Sequence, residues 1–167
     1  MKQIGKAVSV GLLLTGTAFF AVADAGHKHG GKAQQEHAAA LGKPGDVKKV
    51  DRTVEILMND SMRFVPSSVA VSKGETIRFV LKNEGKLKHE MVLGTIKELK
   101  AHAALMLKFP EMEHADPNQA SVEPGKSGEL IWQFTKSGNF DFACLQAGHY
   151  EAGMKGKVMV AAAARGK

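Results

Sequence analysis

From Val54 to Val160 the sequence is cut into short runs in which every second residue is apolar. Val54, Ile56 and Met58 alternate with polar neighbours, as do Val69 and Val71, then Ile77, Phe79 and Leu81, then Leu130, Trp132 and Phe134. A period of two places alternate side chains on opposite faces of a strand, so each run has one face to bury. Turn signals separate the runs at roughly ten-residue spacing: Asn59-Asp60, Ser72-Lys-Gly-Glu75, Asn83-Glu-Gly85 and Lys136-Ser-Gly138. Pro66 interrupts the run around Phe64 and Val65, as at a strand edge or bulge. This pattern fits an all-β antiparallel sandwich or barrel. One stretch breaks it. Thr95 and Glu98 form a capping box, Ile96, Leu99, Ala103, Met106 and Leu107 follow helical spacing, and Pro110 stops the run. One inserted helix is expected over about 95–108.

Ordered structure is expected from Asp51 to about residue 163, as one domain. Residues 1–25 read as an export signal: Lys2 and Lys6, an uncharged apolar run from Ala7 to Val22, then small residues that set cleavage after Ala23 or Ala25. That run is short for a membrane span and no other stretch is apolar enough, so the mature chain is expected in a periplasm without a span. Residues 26–50, polar and glycine-rich, are expected to be a disordered leader and linker, with His27, His29 and His37 as weak extra copper sites. The formal charge is +6, and loss of Lys2, Lys6 and Asp24 leaves +5. The basic residues form no Arg-rich run and no aromatic–basic pattern, which excludes a nucleic-acid partner but suits steering towards an acidic protein.

Chemistry concentrates after the run Phe140, Phe142, Cys144, whose alternation points the only cysteine inwards. An exported chain normally pairs its cysteines or omits them, so a lone thiol calls for a reason, and metal ligation is one. His149 follows Cys144 by five residues and Met154 follows His149 by five. Thiolate, imidazole and thioether together suit copper: thiolate favours Cu(I), imidazole serves both oxidation states, and a weak axial thioether raises the potential. Zinc suits a Cys-His-His set, but the methionine argues for copper. Histidine and methionine at these places after a unique cysteine arise by chance at on the order of a per cent. A second histidine is needed. His89, at the entry to the apolar run Met91-Val-Leu93, is well placed for it; His102 and His114, with Met91, Met106 and Met112, are the remaining soft donors.

With these residues in place, the chain from about Asp51 to Ala162 resembles the cupredoxins, the type 1 blue-copper family of azurin and plastocyanin. The resemblance is carried by Phe64-Val-Pro66, Val69-Ala-Val-Ser-Lys-Gly74, Ile77-Arg-Phe-Val80, Val122-Glu-Pro-Gly125, Leu130-Ile-Trp-Gln-Phe134, Gly138-Asn-Phe-Asp-Phe-Ala-Cys144, Gly148-His149 and Gly153-Met-Lys-Gly156. It implies a Greek-key β-sandwich with one copper, His89, Cys144 and His149 as equatorial ligands, Met154 as the axial one, and His149 nearest the surface. Glu90 departs from the pattern, standing where the family commonly has an asparagine that ties the ligand loops together. The segments His89-Glu-Met-Val-Leu-Gly94 and Met112-Glu-His114, with the histidine-bearing leader, look similar to periplasmic cupredoxins linked to copper tolerance. The expected role is that of a monomeric one-electron carrier serving a cytochrome or copper enzyme, the alternative being a copper-tolerance protein that binds or buffers copper and meets other copper-handling proteins. An enzyme is not expected: copper oxidases need further copper sites, a binuclear centre needs two cysteines, and a copper monooxygenase needs histidine as its first mature residue.

Overall fold

The computed structural model describes residues 41–112 and 116–162. The expected signal, its cleavage point, His27, His29, His37 and His114 lie outside the described residues. Among the described residues these strands and this long helix follow in order: β1 Gly42–Pro44, β2 Arg52–Asn59, β3 Arg63–Val65, β4 Ser68–Ser72, β5 Thr76–Asn83, β6 His89–Gly94, α1 Ile96–Lys108, β7 Gln119–Val122, β8 Ser127–Phe134, β9 Gly138–Ala143 and β10 Lys155–Ala161. Two five-stranded sheets run β1-β8-β5-β2-β3 and β4-β10-β9-β6-β7. Between them lies a core that includes Ile56, Met58, Phe64, Ile77, Phe79, Leu81, Trp132, Phe134, Phe142 and Val158. These are the inward residues of the period-two runs, and Phe64 of one sheet meets Phe142 of the other edge-to-face at 5.0 Å.

Two pairings depart from the antiparallel expectation. β2 runs parallel to β5, with Val54 opposite Phe79, and β4 runs parallel to β10, with Val69 opposite Val158. The chain leaves the first sheet after β3, contributes β4 to the second, and returns beside β2 in the same direction. Alternation marks which face of a strand is buried and is silent about the direction of its neighbour.

The N-terminal boundary also moves. Residues 42–50 are not a disordered linker: Gly42–Pro44 pairs with Phe134–Trp132 of β8, a 3-10 turn follows at Val47–Lys49 with Asp46 as its cap, and Leu41 is fully buried in the main core. Gly42, Pro44 and Gly45 look like linker residues, yet proline is tolerated on an edge strand, and a Cβ at Gly42 would strike Gln133 and Trp132. The stretch around Ser121 contains the short strand β7. It is a polar edge whose only fully buried residue is Val122, so alternation gives almost no signal there.

α1 forms with its capping box: Thr95 Oγ1 accepts from Glu98 N, and the Glu98 carboxyl accepts from Thr95 N. Leu99, Ala103 and Met106 pack with Val92, Ala143, Leu145 and Tyr150 on the outer face of the second sheet. That sheet is therefore covered on both sides where β6 runs, and all six residues of β6 are buried. Along β6, Met91 and Leu93 enter the main core while Val92 faces the helix; across it, Phe142 and Cys144 go inwards while Ala143 and Leu145 face the helix.

Candidate metal centre

Two segments make the site: the start of β6, which carries His89, and the loop from Cys144 to Met154 that joins β9 to β10. The loop closes on itself through its backbone. Cys144 N donates to Met154 O at 3.1 Å, Met154 N to His149 O at 3.0 Å, and His149 N to Gln146 O at 2.9 Å. Its turns need positive φ at Gly148 (84°) and Gly153 (97°), directly before His149 and Met154, where a side chain would be strained. Cys144 and Met154 are fully buried in the main core.

His89 is brought to this loop from 55 residues upstream. Its preceding turn is fastened twice. Buried Asn83 donates through Nδ2 to Leu87 O and Val122 O, at 2.8 and 3.0 Å, and accepts from Gly85 N. Asp60 accepts from Lys86 N at 2.8 Å, from Leu87 N at 3.3 Å and from His89 Nε2 at 3.1 Å. The hydrogen bond from Lys86 first, then those from Leu87 and His89, hold the Asp60 carboxyl below the usual carboxylate range. A carboxylate can only accept, so His89 carries a proton on Nε2 and turns Nδ1 into the site.

Three donor atoms then converge. His89 Nδ1 lies 3.2 Å from His149 Nδ1, and Cys144 Sγ lies 3.2 Å from His149 Nδ1 and 4.0 Å from His89 Nδ1. A metal bonded at about 2.0 Å to imidazole and about 2.3 Å to thiolate in a trigonal plane holds its nitrogens about 3.5 Å apart and sulfur about 3.8 Å from each. The observed triangle is close to that size. The three donor atoms, two imidazole nitrogens and a sulfur, face one point that a single cation could bond to all of them. His89 and Cys144 are fully buried, whereas His149 is half-exposed, so His149 is the member of the triangle that reaches the surface. Burial pushes the Cys144 thiol up to about 12, and burial first, then the neighbouring His89, pushes His149 down. The metal-free site therefore holds a neutral thiol and favours the neutral ring of His149.

His102 lies on α1, half-exposed, and among the described residues the metal-competent group of histidine, cysteine and acidic side chains is His89, Cys144 and His149. Met91 is a core residue. Met154 is fixed by its backbone bonds to Cys144 and His149, and its side chain is fully buried.

Two functional neighbours were not legible beforehand. Asp60 reads as a turn residue, 29 positions from the histidine it orients. Glu90 reads as a loss of the loop-tying asparagine, yet it makes the tie itself. Its carboxyl, 3% exposed, accepts from Leu145 N at 3.1 Å, Ser121 Oγ at 3.1 Å and Gln146 Nε2 at 3.3 Å. Its backbone N donates to Cys144 Sγ at 3.4 Å. The extra methylene of glutamate lets one side chain span β6, β7 and the cysteine loop.

Residues 50–161 match the family described as copper binding proteins, plastocyanin/azurin family. The chain is 52% identical over 155 residues to the copper-resistant cuproprotein CopI of Rubrivivax gelatinosus, covering 89% of this chain and 94% of that one. It is 39% identical to the protein of the same name from Pseudomonas aeruginosa, covering 77% and 87%. Among solved structures, auracyanin B superposes with a TM-score of 0.59 at 21% identity, covering 72% of this chain and 94% of that one. An azurin from Methylomonas sp. strain J superposes with a TM-score of 0.53 at 13% identity, covering 67% and 99%. At such identities these two likenesses speak for the fold, while the sequence matches speak for the family. With its two-sheet fold, its inserted helix and its His-Cys-His triangle, the chain belongs to the plastocyanin/azurin family of copper-binding proteins.

Proposed function

We propose that this protein is exported to the periplasm and there protects against excess copper, binding one ion through His89, Cys144 and His149 with Met154 as axial donor. The observation that carries the reading is the convergence of three donor atoms within 4.8 Å of one another, from residues far apart in sequence. The name borne by the relatives at 52% and 39% identity supports copper tolerance over electron carriage. Bound copper supplies a centre that shuttles between two oxidation states. The chain's residues prepare for it. Asp60 fixes the ring of His89; Glu90 fixes the cysteine loop; burial keeps the Cys144 thiol protonated until an ion displaces the proton. Depressed basicity of His149 keeps its nitrogen from competing protons. The family and the names of the relatives support a copper-binding role over a catalytic one.

A second reading, one-electron carriage to a cytochrome or copper enzyme, draws on the half-exposed ring of His149. A deletion strain separates the two. Copper tolerance predicts growth inhibited by copper with respiration intact, restored by the wild-type gene and not by Cys144→Ala. Normal growth in copper with impaired respiration would replace this reading with the second.

A further inference from the structure

A cavity of about 350 Å³ opens beside the metal centre, lined by residues that include Met106, Met112, Glu90, Glu111 and Gln146. Its walls come from the start of β6, β7 and the cysteine loop on one hand, and from α1 and the segment after it on the other. Glu90 follows His89, and Gln146 lies two residues past Cys144. Met106 is buried at the inner face of α1, whereas Met112, past the helix end, is 41% exposed. The parity of β6 explains the location: residues on the Glu90 side face the helix layer, opposite the main core.

Core packing accounts for Met106 but not for the pair. Met112 remains open to solvent, and the two thioethers share a cavity that the helix leaves unfilled. Thioethers are soft donors that select Cu(I) over hard cations. The carboxyls of Glu90 and Glu111 favour a positive ion there, and the ammonium of Lys88, also on the wall, is paired with Glu123 at 3.1 Å. Ser121 and Gln146 are engaged by Glu90. The donors not committed to that hydrogen-bonded group are the two sulfurs and Glu111.

We propose that this cavity is a second metal site, specific for Cu(I), in which the thioethers of Met106 and Met112 hold the ion beside the Glu111 carboxyl. The inference rests on the copper-handling reading and adds to it a second binding position beside the cysteine loop, whose Gln146 forms part of the cavity wall.

The test uses the full exported chain, metal-free and reduced, with methionine methyl groups labelled for NMR and Ag(I) as a redox-inert stand-in for Cu(I). The methyl signals of Met106 and Met112 should shift together and saturate, separately from that of Met154. Met112→Leu, a surface change that preserves volume, should abolish the Met106 shift while the Met154 shift persists. Met106 and Met112 signals that stay in place through a several-fold excess of Ag(I) overturn the proposal, whatever Met154 does. The Met154 signal reports independently on the His89–Cys144–His149 centre: if it alone fails to move, that centre is misassigned and the cavity site is unaffected.

Discussion

Glu90→Ala removes the carboxyl that joins three segments, and its cost can be worked from the contacts. Leu145 is 1% exposed, so its N–H, which donates to Glu90 Oε1, has no water to turn to. A buried donor left unsatisfied costs about 1–3 kcal/mol. The lost γ-methylene adds about 0.8 kcal/mol. Ser121 is exposed and Gln146 half-exposed, so both hydrate at little cost. The total is about 2–4 kcal/mol. With a urea dependence of about 2 kcal/mol per molar, the unfolding midpoint should fall by about 1–2 M. Trp132, buried in the core, is the only tryptophan and reports the transition by fluorescence. Glu90→Gln keeps an oxygen for Leu145 and the same length, and should lie within about 1 kcal/mol of wild type. Equal midpoints for wild type and Glu90→Ala would refute the tie, and so would a Glu90→Gln variant as unstable as Glu90→Ala.

Other outcomes follow from the same contacts. Cys144→Ala should abolish the thiolate-to-copper absorption band and His89→Ala should disturb it, while His102→Ala leaves it intact; a spectrum altered by His102→Ala would move the second imidazole to the helix. The Cys144 thiol is raised by burial from 9.0 to about 12, so the folded metal-free protein keeps a proton that the unfolded chain loses in that window. Its stability should fall there by about 1.4 kcal/mol per pH unit, and Cys144→Ser should remove that part of the slope in urea melts. His149 is lowered from 6.5, so its contribution is present above that pH and lost as pH falls through the folded value; His149→Gln should flatten the acid side of the metal-free profile. Asp60→Ala should weaken copper binding by about 10–100-fold in chelator competition, with Asp60→Asn closer to wild type. Leu41→Ala should cost about 2–5 kcal/mol, since Leu41 is a core residue; a neutral result would return the domain boundary to Asp51.

Much of the fold was legible because burial and alternation are the same fact seen twice. Ile56, Phe79, Trp132 and Phe142 are inward residues of runs whose outward neighbours are polar, and α1 advertised itself through Thr95 and Glu98. The triangle was legible for a different reason: the cysteine is unique, His149 and Met154 follow it at short spacing, and of the seven histidines His89 stands at the entry to a strand of the same β-domain. What stayed hidden depends on contacts between distant segments. Strand direction in β2 and β4, the edge pairing of Gly42–Pro44 with β8, the Asp60–His89 bond and the reach of Glu90 across to Leu145 leave no local period or spacing. Glu90 was the most misleading, because the absence of an asparagine looked like an absence of its function.

The separation of His89 from Cys144 has a consequence for the chain's survival. Any ion bonded to both closes a loop of 55 residues, linking the two segments much as a second cysteine would. On the chain-entropy estimate such a cross-link is worth about 4 kcal/mol against the unfolded ensemble. If His89 and Cys144 both bond the ion, occupancy would be written into lifetime: a loaded molecule should open less often and resist added protease longer than an emptied one.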